Sequence, residues 1–282
     1  MGLMTPPDLS ILIAAYRLRD EVPVAVASAL DRAAGASVEV IVASDDGTDY
    51  APLLPADPRL RFTAVGPVAT GAYAARNRAL AIAKGDLVLI LDGDDALEGP
   101  PDAVARAVSA ARGAGAVVVP SLVRDPDGSL VRRVPAPGAA RFGLAEWRDA
   151  FASLHVLAPR GRAAPFRPFR LLDDVLFDLA ALAAAGGVAP VAEALCYRYQ
   201  LRPGQATDTA GARFDAEYAA ALEIAGAGGF GGASAAVAAV LRRWRAMNRL
   251  VGGGGGRPGL GDYHRAVAAY LDGAWPAGRR RA

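Results

Sequence analysis

Asp86–Leu91 is a run of six residues, five of them apolar, that stops abruptly in Asp92-Gly93-Asp94-Asp95. A short, continuous apolar run reads as a strand buried on both faces, the kind found in parallel sheets covered by helices. In open α/β sheets ligands bind just beyond the carboxyl ends of the strands, where these acids fall. Three carboxylates packed this closely repel one another unless something positive lies between them. Hard oxygen donors suit Mg²⁺ or Mn²⁺, ions that also carry substrate phosphates. The plainer reading is an acidic turn capping a helix that starts near Pro101, since Asp and Gly are ordinary turn residues. One capping residue serves a helix, however, and three acids exceed that need.

The rest of the chain supports the sheet. Leu9–Ala15, Val38–Ala43 and Leu60–Val65 read as strands, and Ala116–Val123 as a further one after the acids. Glu21–Ala34, Gly71–Lys84 and Asp102–Arg112 carry apolar residues at helical spacing. Strands alternating with helices across short joints specify an α/β fold with a doubly wound, mainly parallel sheet. Asp125-Pro-Asp-Gly128 is a turn signal, and Ser129–Val134 is expected to fold back as a hairpin. Pro135–Arg170 is rich in Pro, Gly and Arg and reads as a long functional loop region with a helix near Leu144–Ser153. Leu171–Ala185 reads as a helix opened by Asp173-Asp174, and Val188–Gln200 as an edge strand. Only helices follow, at Ala212–Ala225, Ser234–Leu250 and Asp262–Leu271, separated by mobile glycine-rich joints at Gly226–Gly232 and Gly252–Gly256.

Composition narrows the function. The formal charge of +2 over 282 residues gives no field for a polyanion, so nucleic acid is not an expected partner. Cys196 is the only cysteine and there are two histidines, which excludes disulfides within the chain and zinc sites of the Cys/His type. Met1–Leu9 lacks the charged start of a signal peptide, and no run approaches the ~20 apolar residues that span a bilayer. A soluble, cytoplasmic protein is expected, with the inner face of the membrane as a further location.

The ordered pieces resemble the family-two glycosyltransferases of the GT-A fold, inverting enzymes that use nucleotide-diphosphate sugars. Those pieces are Leu9-Ser-Ile-Leu-Ile-Ala-Ala-Tyr16, Val40-Ile-Val-Ala-Ser-Asp45-Asp46-Gly47-Thr48-Asp49 and Ala74-Ala75-Arg76-Asn77. Lys84-Gly85-Asp86, the Asp92–Asp95 cluster, Asp173-Asp174 and Tyr197-Arg198-Tyr199-Gln-Leu-Arg-Pro203-Gly204 complete the set. The resemblance runs from about Asp8 to Thr207. It implies a GT-A-type, Rossmann-like domain over 1–207, with a nucleotide-sugar half (1–120) and an acceptor half (121–207). A helical C-terminal extension would occupy 208–282.

Roles follow from the same resemblance. Asp46 matches the acid that hydrogen-bonds the nucleotide base, with Ala14 to Tyr16 beside it. Arg76 matches a nucleotide-side contact, and Arg202, where many members have histidine, could hold the diphosphate. Asp92 and Asp94 match the Asp-x-Asp pair, nearer the ribose and on the metal respectively, and Asp95 could share that Mn²⁺ or Mg²⁺. Asp174 matches the catalytic base of the acidic pair that Asp173 opens. The chemistry such a site performs is hexosyl transfer: a cation neutralises the leaving diphosphate and a carboxylate takes the acceptor's proton. An exposed Asp is a weak base, so Asp174 is expected to be partly buried or paired with Asp173, which raises its proton affinity.

The donor is expected to be a UDP-sugar, and the acceptor a glycan, a lipid-linked sugar or a small molecule. A silent nucleotide-sugar-binding scaffold of the same fold is the alternative. A nucleotidyltransferase is a third reading, disfavoured because Tyr16–Val22 lacks a glycine- and lysine-rich phosphate loop. Asp173-Asp174 also suits plain N-terminal helix acids. His155 reads as structural or as a substrate contact. Trp147, Phe166 and Phe169 read as core before stacking surfaces. The Arg160–Arg170 cluster fits an anionic acceptor or a solvated loop. Arg242, Arg243, Arg245 and Arg249 form a basic helix face, suited to solvent, to a homodimer contact or to peripheral membrane docking.

Overall fold

The computed structural model describes residues 6–202, 211–252 and 262–273. β1 (Leu9–Ala15) lies at the heart of the main sheet, paired in parallel with β2 (Val38–Ser44) on one side and with β4 (Leu87–Ile90) on the other. β3 (Leu60–Phe62) adds in parallel to β2 at the sheet edge. Leu9, Ile11 and Ile13 point to a core shared with α1 (Glu21–Asp31) and α3 (Ala103–Ala114). Leu12 joins Ile41, Val88 and Ile90 on the opposite face, under α2 (Ala72–Ile82). β1, β2 and β4 are therefore mostly apolar on both faces, which is why the sequence shows continuous rather than alternating apolar runs.

Beyond β4, three expectations give way. The stretch Ala116–Val123 is two strands rather than one: β6 (Val117–Val119) ends the main sheet, and β7 (Ser121–Arg124) belongs to a second sheet. Pro120 stands between them, with no N–H for a ladder, so the chain changes sheets there. The second sheet runs β5 (Ala96–Glu98), β12 (Cys196–Gln200), β7, β8 (Leu130–Val134), with β7 and β8 antiparallel as the turn signal requires.

The Pro135–Arg170 region is not one loop. It holds β9 (Arg141–Gly143), the single helical turn α4 (Leu144–Trp147) and β10 (His155–Pro159). β10 runs antiparallel between β4 and β6 inside the main sheet. The expected helix to Ser153 stops early, and Phe151 takes a left-handed backbone (φ 49°).

Val188–Gln200 likewise divides, into β11 (Val188–Pro190), paired with β9, and β12, which is interior rather than an edge because β5 and β7 flank it.

α5 (Asp173–Ala184) begins on its two acids. α6 (Gly211–Gly226), α7 (Ser234–Gly252) and α8 (Asp262–Leu271) follow. Phe214, Tyr218, Trp244 and Met247 from these helices share one core with Trp147, Phe169 and Leu172. Trp147 and Phe169 are buried there, and Phe166 is stacked on Phe177 at 4.2 Å between centroids, so these aromatics are core. The joint from Gly226 to Gly232 is an ordered turn ending in a 3-10 segment at Gly231–Ala233, and the second glycine-rich joint lies almost wholly outside the described residues. The basic face of α7 is largely spent on packing: Arg245 and Arg249 both pair with Asp215 of α6, and Arg243 pairs with Asp149. Among the described residues no helix is long and apolar enough to cross a membrane.

Candidate active site

Strand ends create the site. β1, β2 and β4 run in parallel, so their carboxyl ends deliver Ala14–Tyr16, Ser44–Asp46 and Leu91–Asp95 to the same rim. Gly93 keeps the acid loop close to β1: a Cβ there would lie 2.9 Å from Leu18 Cδ1 and 3.1 Å from the Ala14 carbonyl oxygen. The glycine is required by space, since its backbone is not left-handed. The result is a cleft of about 340 Å³, within the range of small-molecule sites. Ala14, Tyr16, Arg76, Arg202 and the acids of both the Asp92–Asp95 loop and the α5 start all line it.

Arg76 organises the floor. It is buried (4% exposed) and its guanidinium bonds Asp92 through Nη2 and Asp173 through Nη1. Burial alone would raise the Asp92 pKa, but Arg76 with His155 and Arg202 holds it below the usual carboxylate value. Asp173 is pushed up by burial despite Arg76. Arg76 thus ties the end of β4 to the start of α5, with its charge already engaged by two carboxylates rather than waiting for a diphosphate.

Asp174 differs from its neighbour. It is part-exposed in the cleft, and burial, then the negative charges of Asp173 and Asp92, push its pKa up to about 7 against the opposing Arg76 and His155. A carboxylate with that affinity takes a proton near neutral pH, which an ordinary Asp does not.

The remaining acids are bound to their surroundings. Asp95 is buried, accepting from Tyr197 Oη (2.8 Å) on one oxygen and from the Gln200 N–H (2.8 Å) on the other. Tyr197 Oη in turn accepts the Asp92 N–H at 2.9 Å, which fixes the acid loop to β12. Asp94 remains in the cleft, with Arg202 Nε 2.5 Å from its Oδ2, and burial together with Asp92 raises its pKa.

Asp46 is not part of the lining. Its Oδ2 accepts from the Arg17 N–H (2.6 Å) and its Oδ1 from the Thr48 N–H (2.9 Å) and Ser44 Oγ (3.0 Å). Burial opposes ionisation there, but these hydrogen bonds lower its pKa to about 2. Asp46 therefore shapes the Tyr16–Arg17 turn, where Arg17 is left-handed (φ 58°). Its neighbour Asp45 lines the cleft instead, accepting from the Gly71 N–H (2.8 Å) and Thr70 Oγ1 (2.5 Å) at the start of α2.

Residues 10–170, more than half of the chain, match the model of the family described as Glycosyl transferase family 2. The chain belongs to glycosyl transferase family 2. This family-2 chain is 32% identical over 222 residues to the succinoglycan biosynthesis protein ExoO of Rhizobium meliloti (strain 1021), an alignment covering 70% of this chain and 62% of that protein. It therefore spans less than two thirds of that relative's length. Its fold is that of S. aureus TarS residues 1–349: TM-score 0.57 at 17% identity, over 95% of this chain and 83% of the other. The same TarS segment in complex with UDP-GlcNAc superposes with TM-score 0.55 at 15% identity, over 94% and 92% of the two chains.

Among the three acid-loop carboxylates of the family-2 site, Asp94 fits a divalent cation. Among the described residues no three His, Cys, Asp or Glu side chains are grouped to hold a metal. Asp95 is buried with a hydrogen bond on each oxygen, and Asp92 gives one oxygen to Arg76. Asp94 faces the cleft, and a single carboxylate beside substrate phosphates is an ordinary Mg²⁺ arrangement.

The far wall escaped the sequence reading. Tyr218, Trp244, Asn248, Tyr263 and His264, from three helices beyond position 210, line the cleft together with Tyr199 of β12. Amphipathic spacing marked these helices without showing which face would meet the site.

Proposed function

We propose that this chain is an inverting glycosyltransferase that moves a sugar from a UDP-sugar to an acceptor hydroxyl. The observation that carries the reading is the presence of Asp174, a carboxylate with proton affinity near neutrality, in the same cleft as Asp92 and Asp94. Family membership and the UDP-GlcNAc complex of a protein of the same fold support the donor class. The glycan-building role named for the ExoO relative supports a glycan acceptor.

Tyr16 and Ala14 receive the nucleotide at the end of β1, and Asp45 and Asp46 hold the adjoining turns in shape. Arg202, 35% exposed at its side chain, is long enough to move from Asp94 to a phosphate. Asp94 would hold Mn²⁺ or Mg²⁺, which supplies charge neutralisation for the departing diphosphate. Asp174 takes the proton of the acceptor hydroxyl as its oxygen bonds to sugar C1. The C1–phosphate bond breaks on the opposite face, the nucleoside diphosphate leaves with the electron pair, and the configuration at C1 inverts. Asp173 acts by raising the proton affinity of Asp174 and by anchoring Arg76. Residues 1–207 form the transferase unit in this reading, and the helices after 207 supply the acceptor wall.

A thermal-shift panel of nucleotide sugars with and without Mn²⁺ tests the donor, because a ligand that binds only the folded state raises the melting temperature by mass action. A UDP-sugar should give the largest shift, followed by transfer with inverted anomeric configuration. No shift from any nucleotide sugar would overturn the reading.

A further inference from the structure

His155 is one of two histidines in the chain and is 1% exposed, at the start of β10, where it pairs with Val119 of the edge strand β6. Its Nδ1 lies 3.1 Å from Asp178 Oδ2, and Asp178 Oδ1 accepts the Val156 N–H at 2.9 Å. Asp178 is also 1% exposed and stands four residues after Asp174, on the same face of α5 one turn along. On its other side the His155 ring packs against Tyr197, 4.0 Å between centroids at 38°. Tyr197 is the residue whose hydroxyl joins the Asp92 N–H and Asp95.

A buried, unbroken path therefore runs from the helix that carries Asp174, through β10 and β12, to the acid loop. An aliphatic core would hold the same elements together without the cost of desolvating an imidazole and a carboxylate. The ionised pair is neutral overall and adds a dipole whose positive end is His155. The charged groups acting most on Asp174 are Arg76 from α2, Asp173 beside it, Asp92 from the acid loop and His155 from β10, and the Asp178 carboxylate stands one turn along α5. Those acting on His155 are Asp178 and Asp174 from α5 and Asp92. Burial disfavours the imidazolium, yet Asp178 beside it raises the His155 pKa above the ordinary value.

Resting on the transferase reading above, we infer that His155 is a positioning residue for Asp174: it fixes α5 against the acid loop through Asp178 and Tyr197, and holds a positive charge on the strand packed against the helix of the base. That charge keeps Asp174 ionised over more of the neutral range than its acidic neighbours would allow. His155 touches no reacting atom and acts only through Asp174.

His155→Gln separates charge from packing, since the amide can still donate to Asp178 but carries no charge. Carboxyl ¹³C titration of Asp174, assigned with Asp174→Asn, needs no substrate. The midpoint should move upward by about half a pH unit or more on His155→Gln, and the acid limb of kcat/KM should move with it. Should His155→Gln not fold, His155→Asn sets its amide nitrogen near the Nδ1 position, leaves Asp178 in place and should give the same upward shift. In the wild type, ring titration of His155, told apart from His264 by His264→Gln, should show an imidazolium persisting above pH 7. An unmoved Asp174 midpoint in the variant that folds, or a His155 ring already neutral at pH 6, would overturn the inference. Absence of transfer with every donor would count against the transferase reading alone, and the two titrations would still decide the role of His155.

Discussion

Arg202 lays its guanidinium on Asp94, Nε to Oδ2 2.5 Å, joining the end of β12 to the acid loop at the mouth of the cleft. A basic side chain and a divalent ion on the same carboxylate repel each other, so the pair sets a competition. Asp94→Ala should abolish the Mn²⁺-dependent part of the donor thermal shift. Arg202→Ala should strengthen Mn²⁺ binding in the absence of donor several-fold, read by titration calorimetry, while weakening UDP binding. Unchanged Mn²⁺ affinity in Arg202→Ala would show that the pair does not compete with the ion.

Arg76 is buried between two carboxylates, which makes it costly to remove. Arg76→Met keeps volume but leaves Asp92 and Asp173 without their shared counter-charge, and breaking a buried pair in this way costs about 3–5 kcal/mol. Urea unfolding at pH 8 should show that loss. It should shrink at pH 5, because the Asp173 pKa is already raised and protonation relieves the uncompensated charge.

Asp174 makes stability depend on pH in a stated direction. Its folded pKa, about 7, lies above the ordinary Asp value, so the folded state favours the protonated form. The stability linked to that proton is full below about pH 4 and is lost as pH rises through about 7. Asp174→Asn should therefore stabilise the protein by roughly 2 kcal/mol at pH 8 and by little at pH 4. Equal melting-temperature changes at the two pH values would contradict it.

Tyr197→Phe removes one hydroxyl with two partners, the Asp92 N–H and the Asp95 carboxyl. Leaving them unsatisfied should cost about 1–3 kcal/mol of stability and loosen the acid loop, read as a rise in donor KM.

The parts of the fold legible in the sequence are those decided locally. β1 and β2 are apolar but for Ser10 and Glu39, which bond each other, and are followed by polar residues, and α5 starts on its two acids, so their limits are written in neighbouring residues. β10 is different. Its five residues sit among prolines and arginines, and its place between β4 and β6 depends on partners far away in the chain. Asp45 and Asp46 show the limit at one residue's resolution. Side chains at a strand end alternate between faces, so composition offers two acids without saying which one faces the cleft. The acid loop shows another limit, because closeness in sequence is not convergence in space. Asp95 turns inward to Tyr197 and Gln200, while Asp173, nearly eighty residues away from it, meets Asp92 through Arg76. The aromatic far wall was illegible for a similar reason, since helix packing selects its lining.

The central claim is that Asp174 accepts the acceptor's proton while the acid loop holds the donor. The most direct measurement is steady-state sugar transfer by Asp174→Asn, with UDP-sugar affinity measured on the same preparation. Asparagine keeps the side chain's size and cannot take the proton. Donor affinity should stay within a few-fold of wild type while kcat falls by about 10²–10⁴. Transfer by Asp174→Asn at the wild-type rate would contradict the account.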